Sequence, residues 1–120
     1  MTSASNPRGS VWHRWDPHIH TPDTVLNNQF AADDWDGYLK KIEEAEPCIE
    51  VLGITDYCSL DRYEDVLMHV ESGRLPRVVL VFPNVELRLP LMTADGKPIN
   101  IHLLISPEDA DHVERARAFL

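Results

Sequence analysis

The chain predicts an α/β fold with a mainly parallel sheet, and three observations carry that prediction. Apolar runs alternate with segments whose apolar residues recur at the helical period. Two of the runs, IEVLGIT over 49–55 and RVVLVF over 77–82, are apolar at most positions, as strands covered on both faces are. Neither an internal repeat nor a low-complexity tract interrupts the rhythm of strand, helix, strand, helix, strand, hairpin and helix.

The first ten residues, MTSASNPRGS, are small and polar and read as a flexible lead-in to one domain over 11–120. Val11 to His20 reads as the first strand, and Thr21 to Asp33, rich in Asn, Asp and Pro, as a loop long enough to line a site. Asp34 is placed to cap a helix whose Trp35, Tyr38, Leu39, Ile42 and Ala45 keep the 3.6-residue period, and Pro47 closes it. Ile49 to Thr55 forms the second strand. Ser59 opens a second helix with Tyr63, Val66, Leu67 and Val70 along one side and Gly73 near its end. Arg77 to Phe82 is a third strand and Val85 to Met92 a fourth, stopped by the turn Ala94-Asp95-Gly96-Lys97-Pro98. Ile99 to Ile105 returns beside it. Ser106-Pro107 is a cap followed by proline, and the helix it opens turns Val113, Ala116 and Leu120 inward.

The chain has 120 residues, with 11 Lys and Arg against 20 Asp and Glu, a formal charge of −9, and no basic run. Such a surface does not grip duplex DNA by counterion release unless bound cations reverse the local field, and it suits a cation site. Two cysteines, Cys48 and Cys58, are too few and too oddly spaced for a disulfide scaffold or a zinc knuckle. They read as small buried apolar residues, with Cys58, close to Asp56, a remote ligand candidate. No apolar core of a signal peptide opens the chain and no apolar run approaches membrane-spanning length, so the expected address is the cytoplasm.

The chemistry concentrates in WDPHIHTPD, residues 15–23. His18 and His20 are two apart, so on a strand both rings face the same side and can reach one metal ion or one pair. Asp16, two residues earlier, is placed to orient a ring through its second nitrogen. In α/β folds ligands bind beyond the carboxyl ends of strands, and there the other ligand-type residues fall. Asp56 follows the second strand in GITDY, Glu86 follows the third in FPNVE, and His102 sits in NIHLL on a later one. Each also has a plain structural reading: His102 as a bonded core residue, Glu86 as a water-facing strand position, Asp56 as a turn cap. His13, His69 and His112 receive no role, and Trp12, Trp15 and Trp35 read as core and rim packing.

These motifs resemble those of the PHP domains, the polymerase and histidinol phosphatase superfamily, whose pattern runs DLHxHT, then ITDH, then a glutamate, then a histidine. The likeness spans Trp12 to Ile105 and is closer still to the amino-terminal PHP domain of TrlF-like proteins, which precedes an AAA-type or SMC-like ATPase region. The resemblance implies the N-terminal part of a distorted (βα)7 barrel that holds up to three divalent ions, zinc, manganese or iron, and hydrolyses phosphate esters. It makes His18 and His20 metal ligands with Asp16 as their support, Glu86 a bridge between two ions, and His102 a ligand of one of them. Asp23 is the candidate for the ligand that follows the paired histidines, ahead of Asp33 and Asp34.

The sequence departs from the family pattern at several points. Tyr57 stands where the family has a histidine, with Asp56 beside it as the candidate replacement. Pro17 replaces the usual leucine, and a further histidine and a terminal Asp-x-His pair would lie past Leu120, so the domain is expected to be incomplete at its C-terminus. The implied partners are a phosphate-ester substrate, nucleic-acid ends among the candidates, and a downstream ATPase-type region or a partner chain; no membrane is expected. The rival expectation is a catalytically inactive PHP scaffold or regulatory module for an ATPase or polymerase. No GxxxxGK[ST] phosphate loop occurs in the chain. Taken alone, the segment is expected to present an unpaired strand edge, to associate, and to hold metal weakly.

Overall fold

The computed structural model describes residues 11–24, 30–31 and 33–120. The elements follow in the order β1 (Trp15–His20), α1 (Trp35–Glu43), β2 (Val51–Tyr57), α2 (Asp61–Glu71), β3 (Leu80–Met92), β4 (Pro98–Leu104) and α3 (His112–Phe119). One curled sheet has the order β1-β2-β3-β4, with β1, β2 and β3 parallel and β4 antiparallel to β3. This is the expected mixed α/β architecture, and its curl is compatible with part of a barrel. The expected lead-in over 1–10 and positions 25–29 and 32 of the expected loop lie outside the described residues. Among the described residues, no helix is long and apolar enough to cross a membrane.

Alternation along the strands divides the sheet into two chemically different faces. Leu52 and Ile54 of β2 and Val85 of β3 join Tyr38, Leu39 and Ile42 of α1, Tyr63 and Val66 of α2, and Ala116 of α3 in one buried cluster. Each large side chain there contributes roughly 1.5–3 kcal/mol through burial. The opposite face carries Thr55, Asn84 and Glu86, polar yet buried. Burial of that kind requires hydrogen bonds, and those bonds build the site described below.

Local signals account for most element ends. Asp34 caps α1 by accepting the Gly37 N–H at 3.1 Å. Ser59 accepts the Asp61 N–H at 3.0 Å at the start of α2, and Gly73, at φ +98°, lies just past its end in the left-handed region. Gly96, at φ +81°, closes the β3–β4 turn, where the Thr93 N–H donates to the Lys97 carbonyl at 2.9 Å.

Several expectations need correction. The two strands read as 77–82 and 85–92 are one continuous β3 that runs through Pro83. The Ile105 N–H donates to the Pro83 carbonyl at 3.0 Å. A strand residue's N–H and C=O point the same way, so the donor that Pro83 lacks would face β4 just past the end of its ladder at Leu104, where none is needed. The third helix starts at His112 rather than at Ser106-Pro107. Ser106 does accept the Glu108 N–H, at 3.4 Å, but one capping turn does not repay helix nucleation while the chain is still leaving the sheet edge. Leu120 is exposed, Cys58 is exposed, and Trp12 is 99% exposed rather than packed. β1 begins at Trp15, four residues after the expected start at Val11.

The junction of α1 with the segment after α2 is held by Arg74, which pairs with Glu43 and with Asp36, the latter at 2.9 Å. The Glu43 carboxylate accepts Arg74 Nε at 2.8 Å, Arg74 Nη2 at 3.1 Å and the Leu75 N–H at 3.0 Å. Leu75 is buried at φ +55°, a conformation unfavourable to leucine, and the Glu43 contacts hold it there. The Arg74 hydrogen bonds, and then the Leu75 N–H, hold the Glu43 carboxyl below its ordinary value. The unfolded chain therefore takes up the proton first. The stabilisation is complete above the ordinary glutamate pKa of 4.5 and is lost as pH falls through the depressed folded value. Glu43→Gln should be less stable than wild type near neutrality, with the gap closing on acidification, as read from urea melts between neutral and acidic pH. A gap independent of pH would refute the assignment.

Candidate metal centre

The site begins with an irregularity in β1. Asp16 pairs with Leu52 and Ile19 with Ile54, so β1 spends three steps where β2 spends two, and the extra residue falls at Pro17-His18. Pro17 has no N–H to lose from the ladder, which is why it fits a bulge. Its carbonyl is taken instead by Asn84 Nδ2 of β3, at 2.8 Å, reaching across β2. The crossing is open because β2 has glycine at that point. A Cβ on Gly53 would lie 2.2 Å from the Pro17 oxygen.

The bulge changes the parity of β1. His20 pairs with Thr55, and Thr55 with Asn84, so His20 shares the polar face. Asp16 pairs with Leu52, whose side chain belongs to the helix-side core. The carboxylate of Asp16 accepts the backbone N–H of His18 at 3.3 Å; its hydrogen bond goes to the main chain and not to either ring. The spacing of Asp16 and His18 had implied a shared face, and the inserted residue separates them.

His18, His20 and Glu86 converge. Their Nε2, Nε2 and Oε2 atoms are separated by 3.2 Å between the histidines, 3.8 Å from His18 to Glu86 and 3.6 Å from His20 to Glu86. Two imidazole lone pairs at 3.2 Å repel each other unless a proton or a cation lies between them. Glu86 is 4% exposed, and its Oε2 has no hydrogen-bond partner among the described residues. A buried carboxylate oxygen left without a partner is costly, and it faces the two imidazoles. The point equidistant from the three atoms lies about 2.1 Å from each, which is the distance at which zinc binds imidazole nitrogen. The donor set of two nitrogens and one carboxylate oxygen could therefore hold one metal ion.

His102 lies directly opposite Glu86 in the β3–β4 ladder. Its Nδ1 is 2.9 Å from Asn84 Oδ1, its Nε2 is 4.0 Å from Glu86 Oε1, and its ring centroid is 4.6 Å from that of His18. The Glu86 Oε1 accepts Asn100 Nδ2 at 2.8 Å, and Arg88 Nε donates to Asn100 Oδ1 at 3.3 Å. His102 adjoins the triad and stands outside the tightest group of ligand atoms. Glu86 lies within β3 rather than after its end, because the hairpin extends both strands beyond the site.

The remaining candidates are placed as follows. Asp56 is buried and raised above its ordinary value by that burial, against the Tyr57 N–H at 2.9 Å and the Thr24 hydroxyl at 3.3 Å. Asp23 accepts the Asp33 N–H at 3.1 Å and adopts φ +63°, so its carboxylate is bonded to the chain just before α1. The Tyr57 ring stacks on His20, with centroids 5.5 Å apart and planes 20° from parallel. Cys58, at φ +52°, donates its backbone N–H to the Glu86 carbonyl at 3.1 Å. Burial, and then the neighbouring His18, lowers the His20 pKa, which favours the neutral ring a metal needs.

Asn84, Asn100 and Gly53 carry much of this geometry, and reasoning from the sequence passed over all three. A signal was present: each asparagine precedes a ligand candidate by two residues, in Asn-x-Glu and Asn-x-His, which puts both on the ligand face of a strand. No family model, curated protein or solved structure matches the chain.

Proposed function

We propose that this chain is the metal-binding part of a PHP-like phosphoesterase domain that hydrolyses phosphomonoesters or phosphodiesters in the cytoplasm. The observation that carries the reading is the buried, unpartnered Glu86 Oε2 set against the Nε2 atoms of His18 and His20. Zinc, manganese or iron would suit that donor set, and His102 would serve as a fourth protein ligand or as the first ligand of a second ion. A divalent ion bound there supplies Lewis acidity, activating water and neutralising phosphoryl oxygens.

The chain's own residues do the rest. Asn100 holds the other Glu86 oxygen at 2.8 Å, so Oε2 keeps its aim. Burial favours the neutral form of the His20 ring, the form that binds a metal. With a formal charge of −9, the protein repels a phosphate ester until cations occupy the site, so binding of substrate depends on metal. The proposed substrates include nucleic-acid ends, and the proposed partner is an ATPase-type region or a partner chain.

One observation favours a second reading. Tyr57 occupies the position of a family histidine and stacks on His20, which supports an inactive scaffold serving an adjacent ATPase or polymerase. Glu86→Gln separates the two. In the full-length protein with zinc or manganese, hydrolysis of a chromogenic phosphodiester and of labelled single-stranded DNA and RNA should fall at least about 100-fold. Activity absent from wild type, or unchanged in Glu86→Gln, would leave the scaffold reading standing.

A further inference from the structure

Asn84 is 3% exposed, and it makes two contacts that join opposite sides of the site. Its Nδ2 donates to the Pro17 carbonyl in β1 at 2.8 Å, and its Oδ1 lies 2.9 Å from His102 Nδ1 in β4. The two ends of an amide are not interchangeable. A backbone carbonyl only accepts, so the nitrogen must face Pro17 and the oxygen must face His102. In the neutral ring of His102 the proton therefore sits on Nδ1, and Nε2 then carries the lone pair on the side of Glu86 Oε1, 4.0 Å away. Gly53 makes the arrangement possible, since any side chain there would collide with the Pro17 oxygen that Asn84 holds.

We propose that Asn84 is a positioning residue: one buried amide fixes the tautomer of His102 and pins the bulge that carries His18, so ligands from β1 and β4 are set together. Its effect on metal binding rests on the metal-centre reading; its effect on His102 does not. An acidic side chain at this position would keep the acceptor for His102 and lose the donor to Pro17. Alanine would lose both.

The test uses the full-length protein, first without metal. Long-range proton–nitrogen NMR of the imidazoles should show His102 protonated at Nδ1 in wild type and in Asn84→Asp, and lose that preference in Asn84→Ala. Calorimetric titration with zinc should then show Asn84→Ala binding roughly 10–100-fold more weakly than wild type. Far-ultraviolet dichroism checks that each variant folds, and the wild-type tautomer alone decides the first point if Asn84→Ala does not. A wild-type His102 protonated at Nε2 would overturn the proposal, as would an Asn84→Ala variant with unchanged tautomer and unchanged zinc affinity. Wild type that binds no zinc, while the tautomer follows residue 84, would uphold the positioning of His102 and sink the metal reading.

Discussion

The His18→Ala/His20→Ala variant of the full-length protein is expected to purify without zinc or manganese, whereas wild type retains about one ion or more per chain. The two imidazoles supply two of the three atoms that surround the common centre, and the third, Glu86 Oε2, is a single buried oxygen. Loss of an outer hydrogen-bond partner typically weakens a metal site 10- to 100-fold, and loss of two ligands should exceed that by a wide margin. The double variant also removes the close Nε2 pair, so it relieves repulsion in the metal-free state and should not unfold the chain. Elemental analysis after dialysis, with dichroism as the control for folding, reads the result. Equal, near-zero metal in both proteins would end the metal-centre reading.

Gly53→Ala should damage the fold more than any other single methyl addition at a described glycine. The new Cβ would sit 2.2 Å from the Pro17 oxygen, 2.7 Å from the Pro17 carbonyl carbon and 2.8 Å from Phe82 Cζ. Phe82 can turn aside, but the carbonyl is backbone and is held by Asn84. Relief requires β1 to move off β2. Overpacking of a tight site usually costs about 1–3 kcal/mol, and an immovable neighbour places this case at about 3 kcal/mol or beyond. For a domain of this size that lowers the melting temperature by roughly 12 °C or more. Gly96→Ala is the control: its Cβ would meet nothing within 4 Å, so only the strain at φ +81° remains, about 1 kcal/mol. Thermal melts that put the Gly53→Ala loss at or below the Gly96→Ala loss would show that β1 yields easily there.

Metal content depends on ligand atoms, which a motif exposes. Resistance to Gly53→Ala depends on how closely β1 and β2 approach, and no motif states that distance.

Much of the architecture was legible because its signals are local. Asp34 before an apolar helical stripe, Gly73 after one, and the Asp95-Gly96 turn each act within a few residues, and each is in place in the fold. The run IEVLGIT likewise announced a buried parallel strand, and β2 is buried at all but its last residue, whereas RVVLVF joins the sheet only from Leu80 and leaves Val79 and Leu80 exposed. The signals that failed were those that tertiary contacts override. Pro83 looked like a break between strands, yet it lies where β4 has already ended and no donor is missed. Ser106-Pro107 looked like a helix start, yet the chain there still follows the sheet edge.

Residue order and type are enough to place the α/β alternation, to set His18, His20, Glu86 and His102 on strands, and to give the acidic balance that suits a cation. Each of these follows from periodicity or residue type. Three-dimensional packing is needed to see that a bulge at Pro17 parts Asp16 from the histidine rings, that Asn84 spans β2 above Gly53, and that Asp23 accepts the Asp33 N–H. The reason is one of parity and reach. A single inserted residue reverses every side chain on one side of it, and a hydrogen bond between residues 67 positions apart exists only once three strands lie in register.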